Sequence, residues 1–409
     1  MTLPGSRPEA PRRAPFVAST PFAEASSIIR AMPRAAVQTP ANRPMPFHQM
    51  IRLSDVVHGR NNNFHLLRLI AASAVLFSHS FPLATGDKHT EPLRAAYGCT
   101  FGSIAVDLFF LISGMLVTMS LVRRSSAVDF AKARFFRIWP GLIVAVLLTV
   151  LVLGPVFTTV PLSTYFTDRA TARYVYLNLS LFKAVDYVLP GVFATNAWPS
   201  AINGSLWTLP WEVRCYVALL AIWLLLQPLK RPASLGWAVA CVWVALFASV
   251  AWSLRTMIIE DAPARLWLMF CSGAMLYLLR DRIVLSWAGL LAVVVVVALA
   301  AGHGMAFGIV YCLALPYAML CAAYLPGGPI LQYNRLGDYS YGVYIYAYPV
   351  QQSLVHLWPT LGPIGLFGAA MVFTLLLAVP SWHFIEKPAT GLARARPKPA
   401  LAATSLGDS

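Results

Sequence analysis

The stretch Asn61–Pro82, NNNFHLLRLIAASAVLFSHSFP, constrains this chain more than any other. From His65 onward it stays apolar for the roughly 20 residues that a helix needs to cross a bilayer. Within that run lie Arg68 and His79, eleven residues apart. At about 3.6 residues per turn and about 1.5 Å of rise, eleven steps return to nearly the same helix face, about 16 Å further along. One stripe of one membrane helix therefore carries a fixed cation near one surface and a titratable imidazole most of the way across. Ionisable groups inside a span are costly and face a protein interior or a wet cavity, so the pair marks a site. The structural alternative is that Arg68 snorkels to the headgroups and His79 caps a polar pocket.

Composition sets the class. Hydrophobic residues make up 58% of the 409 and charged residues only 11%, against roughly 25% charged in a soluble domain. The expected fold is an all-α polytopic membrane protein. A net charge of +15 would suggest nucleic acid in a soluble protein. Here the basic residues sit in the tail and between apolar runs, which indicates membrane orientation and no nucleic-acid partner. The six cysteines are scattered, with no CxxC and no His/Cys cluster, so neither a disulfide framework nor a metal site is expected.

Residues 1–60 read as a disordered basic N-terminal tail, rich in Pro, Ala, Arg and Ser. No signal peptide is expected, and Met45 and Met50 offer later starts. A transmembrane domain follows over 61–390, then a short cytoplasmic C-terminal tail over 391–409. About ten transmembrane helices are expected. After the first, they lie near 101–122, 141–160, 206–227, 235–254, 264–279, 285–302, 307–325, 339–358 and 363–385. The stretch 174–190 is interrupted by Lys183 and Asp186 and reads as interfacial or re-entrant. Loop charges then set orientation. Arg123, Arg124, Lys132, Arg134, Arg137, Lys230, Arg231, Arg280, Arg282, Arg335, Lys387, Arg394, Arg396 and Lys398 fall on one side. Only Lys88, Arg94, Arg169, Arg173, Lys183, Arg255 and Arg265 fall on the other. The positive-inside rule makes both termini cytoplasmic.

With that orientation, helical rise places His79, Asp107 and Glu212 in one layer, roughly 8–9 Å below the outer surface. Buried charges need partners, and an imidazole beside a carboxylate suits a general base. Asp107 as a helix cap, or Glu212 paired with Arg214, are the structural alternatives. At the opposite surface Arg68 lies level with VRRSSAVDFAKARFFRIWP, whose ARFFRIWP end reads as a short amphipathic helix with Arg134 and Arg137 on one face. Clustered guanidinium groups suit phosphate recognition, with plain membrane anchoring as the alternative. The ninth span places Tyr339, Tyr341, Tyr344, Tyr346 and Tyr348 together. Buried hydroxyls need partners, so a polar-lined cavity wall is expected there. No Gly-rich phosphate loop, HExxH or GxSxG is present.

These motifs resemble the membrane-bound acyltransferase family 3, over about Asn62 to Pro388. The resemblance rests on Arg68-x10-His79, VDLFFLISG, Arg134-x-x-Arg137, NGSLWTLPWE, SYGVYIYAYP and FIEKP, all in the same order. Family members include bacterial O-acetyltransferases that modify surface polysaccharides, antibiotics and nodulation signals. The resemblance implies a multi-pass protein of the bacterial inner (plasma) membrane, with no bound cofactor and with acetyl-CoA, or another acyl-CoA, as co-substrate. The acyl group, usually acetyl, would pass to a hydroxyl of a carbohydrate or glycolipid acceptor. His79 would be the essential histidine, as general base or through a transient acyl-His, with Glu212 or Asp107 orienting it. Arg68, Arg134 and Arg137 would hold the donor. Ser205 and Trp207 of the NGSLW segment, with Tyr344 and Tyr348, are the expected acceptor-side cavity residues, and Trp198 with the tyrosines of 161–203 could stack on sugars. Many relatives carry a histidine where this chain has Ala347. Some also append an extramembrane domain, so this chain either completes transfer itself or works with a separate periplasmic transferase. A carrier for an acyl group or lipid-linked sugar, or a proton-coupled transporter using His79, would employ the same polar layer.

Overall fold

A computed structural model describes residues 49–59, 61–229, 233–254 and 263–393, all within one compact unit. The remainder of both expected tails lies outside the described residues.

Seven helices among the described residues are long and apolar enough to cross a membrane. They are Phe64–Thr85 (α1), Phe101–Arg124 (α2), Ala127–Phe157 (α3), Gly204–Leu229 (α4), Ser234–Leu254 (α5), Met305–Tyr324 (α8) and Pro363–Leu392 (α10). Three more, Pro263–Leu278 (α6), Trp287–Ala300 (α7) and Ser340–Leu357 (α9), occupy the other expected positions. Two of these are short, and α9 is diluted by tyrosines and glutamines.

One boundary differs from the sequence reading. The amphipathic segment with Arg134 and Arg137 is not separate from the span after it. Both belong to α3, which starts on a Ser126 cap, runs through Pro140 and passes a π-helical turn at Thr149–Leu153. A proline removes one backbone donor, a loss that packed neighbours make tolerable within a span.

A second difference concerns the tail. Residues 51–57, expected to be disordered, are ordered. Ile51–Arg52 pairs antiparallel with Val284–Leu285 between α6 and α7, and a short helix, Leu53–Val56, follows. Leu53 and Val57 are buried. This small apolar cluster has a partner only in the folded chain, so a local reading of composition overlooks it.

Helix α1 packs on α2, α9 and α10, and the most extensive contact in the bundle is between α2 and α6. Glycines make that contact possible. A Cβ on Gly273 would lie 2.1 Å from the Leu111 carbonyl oxygen, and one on Gly114 would lie 2.0 Å from that of Phe270. Small residues of this kind let membrane helices approach at backbone distance. Gly273→Ala should therefore cost about 1–3 kcal/mol, the usual scale of overpacking, read as a lowered thermal unfolding midpoint in detergent. An unchanged midpoint would mean the crossing can open freely. By contrast, α7 buries no residue and packs on α8, as an all-round apolar helix facing lipid does.

The stretch 174–190 forms no span. It holds the end of a helix, Arg169–Ser180, and then irregular chain. Arg173 pairs with Asp186 at 2.7 Å. Side-chain amides fasten the following chain to α9. Asn196 donates to the carbonyl of Gln352 (2.9 Å), and Gln352 donates to Trp198 and Ala201 (2.9 and 2.7 Å). Tyr165 and Tyr174 of this region are buried. The Tyr165 hydroxyl donates to Val150 O at 2.9 Å, which makes it structural rather than a sugar platform.

Candidate active site

Of the three residues expected to form one polar layer, Glu212 and His79 line two adjoining cavities and Asp107 lines neither. The larger, about 660 Å³, is lined by Arg68 from α1, Arg134 and Arg137 from α3, Glu212 and Tyr216 from α4, and Asp338, Ser340, Tyr341 and Tyr344 at and within the start of α9. The smaller, about 170 Å³, is lined by His79 and Ser78 from α1, Glu91, Trp207, Arg265 and again Tyr344. Val106 and Tyr344 line both.

Asp338 organises the larger cavity. Its Oδ2 accepts from Arg137 at 2.7 Å and from Arg68 at 3.2 Å, and Ser340 Oγ donates to Oδ1. Burial alone would raise the pKa of this carboxyl. The adjacent Arg137 and Arg68 guanidinium groups outweigh that and hold it well below the usual carboxylate range. Arg137 also stands 4.0 Å from Glu386. Arg134 is placed differently: its guanidinium lies 5.7 Å from the Tyr216 ring centroid, and its buried Nε has no hydrogen-bond partner. Two arginines are thus tied to one carboxylate, while the third is held beside an aromatic ring.

Glu212 faces this cavity. It accepts from Ser113 Oγ at 3.0 Å and from the Tyr216 hydroxyl. It does not pair with Arg214, which donates to Phe182 O at 2.9 Å and stacks on Trp211. Asp107 lines neither cavity. Fully buried, it accepts from Arg265 at 3.1 Å and from Tyr311 at 2.7 Å. Nor does it cap its helix, because α2 begins with a Thr100–Ser103 capping box. The physical reason is common to both acids. A carboxylate in an apolar bundle takes the strongest donors in reach, here a guanidinium and phenols, ahead of a neutral imidazole.

His79 meets the smaller cavity with its ring edge-on to Tyr348, at 5.1 Å between centroids. Its Nδ1 is buried and has no hydrogen-bond partner. Gly204 leaves room for this stack, since a Cβ there would lie 2.5 Å from the Tyr348 ring. The neighbouring Ser205 hydroxyl is buried without a partner. Glu91 closes one wall, accepting from Ser78 Oγ (3.3 Å) and from the backbone N–H of Leu93 and Phe101 (2.8 and 2.7 Å). The Tyr344 hydroxyl pairs with Thr208 Oγ1 at 2.6 Å and that of Tyr341 donates to Ile138 O at 2.7 Å, so these tyrosines do form a polar-lined wall.

Asp338, Glu91 and Glu386 were not singled out by the sequence reading, and Arg265, expected in a loop, is 4% exposed within α6. A usable signal existed. Only 16 acidic residues occur in the chain, so each one bordering an apolar run is informative.

Known proteins resemble this chain over most of its length. An O-acetyl transferase of Shigella phage Sf6 is 31% identical over 355 residues, covering 84% of this chain and 99% of that protein. Nodulation protein 10 of Rhizobium leguminosarum bv. viciae is 32% identical over 371 residues, covering 82% and 94%. No solved structure gives a significant match. The family model described as an acyltransferase domain matches residues 61–383, and the chain belongs to the acyltransferase 3 family.

Proposed function

We propose that this protein is a membrane O-acyltransferase that takes an acyl group, most simply acetyl, from cytoplasmic acyl-CoA and places it on a hydroxyl of a carbohydrate or glycolipid. The observation that carries the reading is the adjacency of an arginine-lined cavity to a second cavity holding His79. At about 660 Å³ the first falls within the roughly 300–1,000 Å³ usual for small-molecule sites. Guanidinium groups match phosphate oxygens in geometry and charge. In this reading the bundle has ten spans with both termini cytoplasmic in a bacterial inner membrane, and the larger cavity opens to the cytoplasm.

His79 then acts where the two substrates meet. As general base it takes the acceptor proton while the hydroxyl oxygen attacks the thioester carbonyl. The carbon–sulfur bond breaks, and the proton passes to the departing CoA sulfur. In the alternative, His79 first carries the acyl group on a ring nitrogen and the hydroxyl attacks second. Among the described residues no carboxylate bonds to the imidazole; Glu212 lines the larger cavity, and Asp107 lies behind the smaller one, holding its wall residue Arg265. A proton-coupled transporter would use similar polar groups but has no need of a guanidinium cluster in an adjoining cavity, and a carrier differs from an acyltransferase in yielding no acylated product.

The test is to incubate purified protein in nanodiscs with radiolabelled acetyl-CoA and a sugar acceptor, following free CoA and acylated product. Product with stoichiometric CoA supports transfer. Label crossing the membrane without product supports the carrier reading.

Arg134→Ala should raise the KM for acetyl-CoA roughly 10- to 100-fold with kcat little changed. A hydrogen bond to a charged group contributes about 1.5–3 kcal/mol, and phosphate contacts remote from the carbonyl act mainly on binding. A change confined to the acceptor KM would remove Arg134 from the donor site.

A further inference from the structure

The partition between the two cavities has a chemical role of its own. Arg68, Arg134 and Arg137 line only the larger cavity and His79 only the smaller, where Arg94 and Arg265 also stand, and Val106 and Tyr344 contribute to both walls. Both partition residues are nearly buried, at 6% and 7% exposure. Tyr344 is fixed at two points. Its hydroxyl pairs with Thr208 Oγ1 at 2.6 Å, and its ring meets Phe109 edge-on at 5.6 Å. A side chain pinned in this way is a wall rather than a loose flap.

We propose that Val106 and Tyr344 set the length of the acyl group this protein transfers, by admitting only a short acyl chain to the His79 cavity. The inference rests on the acyl-CoA reading above. The reacting carbonyl must come within hydrogen-bonding range of groups that His79 serves, so the acyl chain must lie on the His79 side of the partition. The space there is about 170 Å³, below the roughly 300 Å³ at which ordinary ligand pockets begin. It must also accept the incoming hydroxyl. An acetyl group meets that limit, whereas an eight-carbon chain would take up most of the space and leave no room for the hydroxyl. The larger cavity, by contrast, has space to spare for the donor's pantetheine arm.

Removing the ring should join the two cavities and let a longer chain fold back across the opening. The experiment measures CoA release by the full chain in nanodiscs from acetyl-, butyryl- and octanoyl-CoA, with octyl glucoside as the hydroxyl acceptor. Wild type should prefer acetyl over octanoyl. In Tyr344→Ala that ratio should fall about 10-fold or more, the scale on which pockets discriminate single methylenes. Tyr344→Phe keeps the ring and should keep the ratio. Val106→Ala should lower it in the same direction and carries the same reading if Tyr344→Ala does not fold. Equal use of the three donors by wild type, or an unaltered ratio in both alanine variants, overturns the inference while leaving acyl transfer intact. No CoA release from any donor by wild type overturns the acyl-CoA reading, and the inference with it.

Discussion

Alanine at position 79 should reduce acyl transfer by about 100-fold or more while the protein still inserts and folds. Positioned proton transfer typically contributes about 10²–10⁴ in rate, and a nucleophilic role would make the loss greater still. Stability should change little, because the His79 ring borders a cavity and its main ring contact is the edge-on one with Tyr348. Elution volume and unfolding midpoint check the fold, and initial rates of CoA release check the chemistry. Wild-type turnover in His79→Ala would end the catalytic assignment. The same samples separate the two mechanisms. Protein-bound label that needs His79 and is discharged by added acceptor indicates acyl-His, whereas rapid transfer without bound label indicates a general base.

Arg137→Ala should act differently from Arg134→Ala, although the residues are three apart on one helix. Arg137 lies between two buried carboxylates, Asp338 at 2.7 Å and Glu386 at 4.0 Å. Removing one partner of a buried ion pair typically costs about 3–5 kcal/mol, because the charge left behind remains desolvated. The expected result is a large drop in unfolding midpoint and loss of activity through the fold rather than through donor affinity. Adding Glu386→Gln to Arg137→Ala should recover part of the lost stability, since Glu386 is then left without its cation, whereas Asp338 keeps Arg68. A wild-type midpoint in Arg137→Ala would show that the pair contributes specificity without net stabilisation.

Much of this arrangement was legible in the sequence, for identifiable reasons. Apolar runs near 20 residues and breaks rich in Gly, Pro and charge located the helices. Arg68 and His79 stood out because ionisable groups inside such runs are rare. Local patterning misled where two signals met. In α3 a charged amphipathic stretch meets an apolar run at Pro140, which imitates a helix end although the helix continues. Helical rise brought His79, Asp107 and Glu212 to one depth but could not say towards which neighbour each points. Those directions depend on Arg265, Tyr311 and Tyr216, set by tertiary packing. Asp338 was hidden for a similar reason. In GDYS it looks like a turn residue, and its partners Arg68 and Arg137 lie 270 and 201 positions earlier.

That separation has a consequence for how the protein is made. A ribosome adding roughly 5–20 residues per second needs tens of seconds to pass from Arg68 to Asp338. Over that interval Arg68, joined partway by Arg137, lacks the carboxylate that ties the two together in the finished bundle. Chains released before Asp338 would therefore carry these charges without the carboxylate that compensates them in the finished bundle. The single aspartate, contributed late in synthesis, joins the chain's first long helix to its last third.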